Sequence, residues 1–303
     1  MVRSRDPGLG SKFSAKVKRL INEDGSYNIV RKGGMNAYSD FYKFLIDISW
    51  FQFFLLSTAA YIGVNLIFAL VYVAIGVEQM NGHHPADSEF LDAFYFSVQT
   101  FTTVGYGHLS PSGPGIGIIS TLEAFIGLMF FALITGVLYG RFSKPSSKIR
   151  FAKNAILTRH NGNKALMFKM VNQRSSVLLN ASVKCILALD RGTGSHSYNK
   201  EYHPIALETD RVNFFPLTWT LVHLIDDQSP LHNLRSTDLI KRNAELIVLV
   251  EAFDETFSQN IIEKASFAED QWMENVKFAS NFGANEHGEI ELHVDKIDEV
   301  LPL

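Results

Sequence analysis

Apolar residues are unevenly placed along this chain. No residue from Ser49 to Val77 is charged, and none from Ala124 to Gly140. A helix needs about 20 apolar residues to cross a bilayer. Two spanning helices are therefore predicted, over about 50–75 and 115–140, with one acid, Glu123, inside the second. Between them, the stretch from Asp87 to Thr102 opens with a helix-start signal at Asp87 or Ser88 and runs into a glycine-rich segment. A helix over about 88–101 is too short to span. Such a re-entrant element is tolerated only where protein or a water-filled cavity shields its backbone. Residues 37–48 mix charged and apolar side chains at helical spacing, which predicts an amphipathic helix lying at the membrane surface. Residues 49–142 thus form a membrane domain.

From about Ile149 the pattern shortens. Ala155–Arg159 and Ala165–Val171 flank Asn161-Gly-Asn163, a hairpin signal. Further strand-like runs are Ser176–Leu189, Leu217–Ile225, Glu245–Glu251 and Glu289–Val294. Short strands at this spacing predict an all-β sandwich over 143–303. Residues 1–36 are rich in Gly, Ser, Lys and Arg and read as a largely extended tail.

Length and charge sharpen this picture. A chain of 303 residues has room for two domains. The hydrophobic fraction, 47%, is ordinary, so placement marks the membrane part and composition does not. No Lys or Arg lies between Lys43 and Arg141, whereas Lys32, Lys43, Arg141, Lys144, Lys148 and Arg150 flank the spans. The intervening loop carries Glu78, Asp87, Glu89 and Asp92. By the positive-inside rule both termini are cytoplasmic. No apolar signal-peptide core precedes Val30. Cys185 is the one cysteine, in a strand-like run, and reads as a buried structural thiol in a reducing compartment. His83, His84 and His108 fall in outer loops without metal-ligand spacing and read as solvated. No clustered catalytic set, phosphate-binding loop or nucleic-acid signature stands out, so neither an enzyme nor a cofactor is expected. Trp219, His223 and Asp226 read as packing and interface residues.

The stretch that carries chemistry is Thr102-Thr-Val-Gly-Tyr-Gly107. Thr-Val-Gly-Tyr-Gly is the loop whose carbonyls replace the hydration shell in potassium filters. A glycine-rich pentapeptide alone is an ordinary turn; a short helix before it and a spanning helix on each side change that. Aligned carbonyls need unusual torsions, which Gly105 and Gly107 tolerate. The Thr103 hydroxyl supplies the innermost oxygen layer, while Val104 and Tyr106 face away and pack behind the loop. The preceding helix points its partial negative end at a central cavity, favouring a cation. One chain has one such segment, so a ring requires cyclic assembly, and the filter chemistry makes it fourfold. Glu123 has two readings: near the filter base, adding to cation attraction, or nearer the outer interface with local hydrogen bonds.

Ser49-Trp50, Phe96–Gly107, Arg141-Phe-Ser-Lys-Pro145 and Phe215–Leu231 together resemble prokaryotic inward rectifier potassium channels, from about Ser39 to the strands near residue 290. The resemblance implies a homotetramer in the bacterial inner membrane, with an immunoglobulin-like cytoplasmic domain and no voltage sensor. It implies K+ at Thr103, Val104, Gly105 and Tyr106, and an inner gate at Tyr139. It further implies a cavity lined by Phe131 and Thr135, and flexion points at Gly127 and Gly136. Gln99 stands where relatives carry a carboxylate behind the filter; with Glu123 it is a candidate filter support, an amide hydrogen bond replacing an ion pair. Phe131 stands where strong rectifiers carry an acid, which implies weak polyamine block. Arg141, Lys144, Lys148 and Arg150, with Lys153, form a basic cluster, and such clusters attract anionic headgroups at about 1 kcal/mol per charge. The family's response to phosphoinositides implies a lipid site there, inhibitory in prokaryotic relatives. The alternative to a channel is a membrane-anchored β-sandwich binding protein.

Overall fold

The structure, a computed structural model, describes residues 6–13, 17, 19–33, 40–83, 88–144, 147–190 and 198–303. Asp87 as a helix cap, His84, Pro145 and the first residues of the expected surface helix lie outside them. The chain divides into two units, Gly33–Lys144 and Met1–Lys32 with Pro145–Leu303.

The first unit is helical: α1 is Phe41–Asp47, α2 Trp50–Ile75, α3 Glu89–Phe101 and α4 Pro114–Phe142. The sequence explains where they begin. Ser49 and Gln52 form a reciprocal capping box at the start of α2. Pro114, whose missing N–H costs nothing in the first turn, opens α4. At 26 and 29 residues, α2 and α4 are long and apolar enough to cross a membrane. Their large apolar side chains, such as Phe51, Leu55, Ile67, Leu128 and Leu133, are exposed on the unit, as expected of helices solvated by hydrocarbon. One end of α2, α3 and α4 is pinned by a buried cluster including Ala69, Tyr72, Ala93, Phe96 and Ile116.

The second unit is two sheets sharing one core. In the larger sheet the strand order is Lys12–Phe13, Tyr198–Ile205, Leu178–Asp190, Glu245–Asp254, Gln259–Ala268, with Arg211–Phe215 also pairing Leu178–Asp190. In the other it is Thr218–Leu224, Asn163–Asn172, Ala155–His160, Trp272–Glu274, with Ile149–Phe151 pairing Asn163–Asn172. Alternation sends Val183, Cys185, Leu187 and Leu189 from one sheet, and Leu166, Phe168 and Met170 from the other, into a common interior. The rings of Phe168 and Phe267 meet across it at 5.6 Å. Burial raises the Cys185 thiol above its usual range, which makes it inert. The expected hairpin turns at Asn161 (φ 49°) and Gly162 (φ 83°), the two left-handed residues that a two-residue turn requires.

The reading of residues 1–36 as a tail apart from the β-domain is corrected. The described residues up to Lys32 belong to the β unit. Lys12–Phe13 pair with Tyr198 and Asn199, and the Tyr202 hydroxyl donates to the Gly10 carbonyl at 2.5 Å. The buried Glu245 carboxylate accepts from the Leu20 and Ile21 amides at 2.8 and 3.0 Å. The physical reason is that the larger sheet has a second apolar face, where Ala188, Tyr202 and Ile247 bury Leu20 and Ile21. Two apolar residues in a basic, polar stretch are a weak signal, and the sheet that needs them lies far along the chain.

Candidate functional site

The site begins where α3 ends. Beyond Phe101 the backbone alternates in hand: Thr103 (φ 59°), Gly105 (φ 57°) and Gly107 (φ 86°) are left-handed, while Val104 and Tyr106 between them are not. In a plain extended strand successive carbonyls point to opposite sides; alternating the hand turns them toward one. At Gly105 and Gly107 a Cβ would meet nothing within 4 Å, so glycine is needed there for its torsion, not for space. Thr103 is β-branched, and a left-handed torsion there costs about 1–3 kcal/mol.

Gln99 holds this conformation. Its backbone carbonyl accepts from the Val104 and Gly105 amides at 2.9 and 3.3 Å. Its side-chain oxygen accepts from the Tyr106 amide at 3.0 Å, and its side-chain nitrogen donates to the Leu109 carbonyl at 2.9 Å. The amide both accepts and donates, which a carboxylate in its place cannot do. Within the single subunit Val104 and Tyr106 are 53% and 83% exposed.

A second layer joins the helices behind the loop. The fully buried Glu123 accepts from the Tyr72 hydroxyl of α2 and lies 2.5 Å from the Ser97 hydroxyl of α3. Ser97 also contacts Asn65 of α2 at 3.0 Å. The geometry makes Glu123 a joint between three helices. Sequence reasoning passed over Tyr72, Asn65 and Ser97, although polar residues inside apolar helices were the available signal. Replacing Glu123 with alanine strands the buried Tyr72 hydroxyl, at about 1–3 kcal/mol, and leaves the Ser97 hydroxyl with Asn65 alone. Glu123→Ala is expected to lower the melting temperature of the purified protein clearly, and Glu123→Gln much less.

Four residues along each helix, Phe101 and Gly127 continue the contact of Ser97 with Glu123. A Cβ at Gly127 would lie 2.1 Å from the Phe101 carbonyl oxygen. At Gly136 it would meet nothing within 4 Å. Helix α4 runs unbroken through both glycines. Phe131, Thr135 and Tyr139 recur at four-residue spacing on α4 and are all exposed on the subunit.

The basic residues divide between the units. The Arg141 guanidinium donates to the Leu45, Ile46 and Ile48 carbonyls at 2.5, 3.2 and 2.8 Å and stacks on Trp50 at 4.5 Å. It satisfies the orphan carbonyls at the end of α1, whose last turn has no basic residue of its own. Lys144 pairs with Asp47 at 2.5 Å and holds that carboxyl below its usual range. In the β unit Arg150 pairs with Asp298 at 2.6 Å. Three of the four expected lipid ligands are thus already bonded to protein. His83 is not a free loop residue either: it pairs with Asp92 at 2.8 Å. His223 is buried between the Ala206 carbonyl (2.7 Å) and the Ser229 hydroxyl (2.8 Å), a packing role. Among the described residues no acidic, His and Cys cluster could hold a metal.

A short helix ended by a torsionally alternating carbonyl loop, set between two helices of membrane length, defines a pore-loop ion channel subunit. Residues 60–144 match the family model described as an ion channel, and residues 149–302 match that of the inward rectifier potassium channel C-terminal domain. The chain is 31% identical over 293 residues to the inward rectifier potassium channel Kirbac3.1 of Paramagnetospirillum magnetotacticum, covering 96% of this chain and 98% of that protein. It is 26% identical over 294 residues to the inward rectifier potassium channel irk-1 of Caenorhabditis elegans, covering 88% of this chain and 54% of that longer protein. The chain belongs to the inward rectifier potassium channel family. Its function is potassium-selective transport, and it is not an enzyme.

Proposed function

We propose that four copies close a ring around the 103–107 loops and pass dehydrated K+ through it. The carbonyls of Thr103, Val104, Gly105 and Tyr106, with the Thr103 hydroxyl, replace the ion's water. The observation that carries this reading is the alternating backbone hand at Thr103, Gly105 and Gly107, held by Gln99. A helical hairpin serving only as an anchor for a β-sandwich binding protein has no use for such strain. The exposure of Val104 and Tyr106 on one subunit favours packing against a neighbouring copy.

In this reading Phe131 and Thr135 line the cavity below the filter, and Tyr139 narrows the inner mouth by sterics and dewetting. Gly136, with open space around it, is the better flexion point; Gly127 is a contact glycine first. Residues 37–48 lie at the membrane surface, 49–142 form the pore, and 143–303 form an immunoglobulin-like domain, with both termini in the bacterial cytoplasm. An anionic phospholipid or phosphoinositide at Arg141, Lys144, Lys148 and Arg150 must compete with Asp47 and Asp298, or be bridged by the exposed Lys144.

Liposomes containing the purified protein test the reading: potassium-driven, barium-sensitive flux is expected, with sodium largely excluded. Equal passage of sodium would sink it. Phe131 provides a further expectation. With no acidic ring in the cavity, micromolar spermine on the cytoplasmic side should leave outward current nearly intact, and a steep voltage-dependent block would show that another acidic site binds polyamines.

A further inference from the structure

The segment that leaves the 103–107 loop is held from two sides. On one side the Gln99 side-chain nitrogen donates to the Leu109 carbonyl at 2.9 Å. On the other lie residues 79–82. Met80 and Asn81 pair with Pro111 and Ser110, and the Gln79 carbonyl accepts from the Ser112 amide at 2.8 Å. Gly82 is left-handed (φ 86°), and a Cβ there would run into the His108 carbonyl. Its backbone therefore lies directly against the residue that follows Gly107. Met80 and Leu109 are both buried in the cluster shared by α2, α3 and α4.

A side-chain contact ties residues 79–82 back to α3. His83 Nδ1 lies 2.8 Å from a carboxylate oxygen of Asp92, in the first turn of α3, and the two side chains are only 10% and 18% exposed. An ionised carboxylate only accepts, so Nδ1 keeps its proton and a second proton goes to Nε2. These contacts close a circuit. Asp92 and Gln99 stand on α3, His83 follows residues 79–82, and the segment 108–111 is held between them. The charge in this circuit is not fixed. No Lys or Arg lies between Lys43 and Arg141, so histidine is the residue type that can become cationic there. Among the described residues, the other acids and histidines on these elements are Glu78 in the turn Val77–Gln79, Glu89 on α3 and His108. All three are exposed, whereas His83 and Asp92 are not.

We propose that His83 is a positioning residue for the outer end of the potassium path: through Asp92 it braces the segment 108–111, and a second proton on its ring tightens the brace. This rests on the reading of 103–107 as the filter. An imidazole gains that proton as pH falls from about 8 to about 5. The contact with Asp92 then changes from a hydrogen bond donated by a neutral ring to an ion pair, in a partly buried setting where salt screens it less than at the surface. The brace is strongest below the titration of the ring and weakens as pH rises through it. The left-handed torsion at Thr103 persists only while its surroundings hold it, and the braced segment is part of those surroundings.

Hydrogen exchange of the full-length channel in detergent, with potassium present, tests this without relying on conduction. Corrected for intrinsic rates, the amides of residues 107–110 are expected to be about fivefold better protected at about pH 5.5 than at about pH 8. His83→Gln keeps a donor for Asp92 but cannot gain a charge, and Asp92→Asn removes the opposite charge. Each is expected to flatten that dependence, and the two variants lie on different elements, so one remains if the other does not fold. In liposomes, sodium flux relative to potassium is expected to rise about fivefold over the same pH range in the wild type and to stay level in His83→Gln. A pair with a packing role alone would lower stability in the variants without giving the wild type a pH profile. Protection that does not change with pH, a pH profile that survives in His83→Gln, or altered protection with unaltered selectivity would each overturn the proposal. Absence of potassium-selective flux at either pH would instead undo the reading of the loop as a filter, and the exchange profile would still decide whether His83 braces the segment.

Discussion

Gly127→Ala is expected to abolish assembly of a conducting channel. The added methyl would sit 2.1 Å from the Phe101 carbonyl oxygen and 2.9 Å from its carbon. These atoms are backbone at the end of α3, so no rotamer change relieves the clash. Either α3 or α4 must move by about 1 Å to restore van der Waals contact. Overpacking of this kind costs about 1–3 kcal/mol where side chains can yield, and more where only backbone can. The displaced end of α3 leads directly into the left-handed residues of the 103–107 loop. Glu123 and Ser97, one turn away on the same two helices and 2.5 Å apart, would be pulled out of register with it. The control is Gly136→Ala, where the methyl meets nothing within 4 Å. That change should leave assembly intact and stiffen α4 by about 1 kcal/mol. If Gly136 is the flexion point, its variant forms the oligomer but opens less often. Size-exclusion chromatography and liposome flux separate these outcomes. A Gly127→Ala channel that assembles and conducts normally would show that the α3–α4 contact is not as tight as its geometry states.

Gln99→Leu is expected to fold and assemble but to lose most of its preference for potassium over sodium. The substitution strands the Tyr106 amide and the Leu109 carbonyl, both now bonded to the Gln99 side chain. Each unsatisfied group costs about 1–3 kcal/mol. The strained torsion at Thr103, which persists only while its surroundings hold it, then has less to hold it. A loss of about 2 kcal/mol in the spacing of the oxygen rings corresponds to about thirtyfold in selectivity. Gln99→Glu retains the acceptor for Tyr106 but loses the donor to Leu109, so an intermediate loss is expected. Reversal potentials under mixed potassium and sodium gradients measure both. Wild-type selectivity in Gln99→Leu would mean that the loop is held by contacts other than this amide.

Much of the membrane unit was legible from residue order because its physics is local. A charge-free run long enough to cross hydrocarbon, a proline at a helix start and a serine with glutamine three residues on each act within a few residues. The expected span over 50–75 and the observed α2 coincide, and the second span differs only at its ends. The torsional role of Gly105 and Gly107 was equally local. The left-handed Thr103 was not foreseen, since a β-branched residue adopts that conformation only under outside constraint. In the β unit, strands built on a continuous apolar run, such as Leu246–Val250 within Glu245–Asp254, were visible. Tyr198–Ile205 and Gln259–Ala268 were not, because charged and polar residues such as Lys200 and Glu263 break their alternation. Lys200 is nonetheless buried, bonded to the Asn243 carbonyl at 2.9 Å, a partner that only the folded chain brings near.

Arg141 shows the same division from the other side. Its position just after a span marked it as a basic residue for the membrane surface, and by sequence it is equivalent to Lys144. Only the fold brings the end of α1 within reach, and its planar fork then takes three backbone carbonyls that an ammonium could not. Residue order alone determined which segments are apolar enough to cross hydrocarbon, which form strands, and which short glycine-bearing segment can alternate in hand. These follow from periodicity and local torsion. Tertiary structure decided that Gln99 clamps the loop, that Glu123 joins three helices, that Gly127 is a contact, and that the N-terminal residues cover a sheet. Each of those depends on partners distant in sequence, whose donors, acceptors and volumes are matched only after the chain has closed.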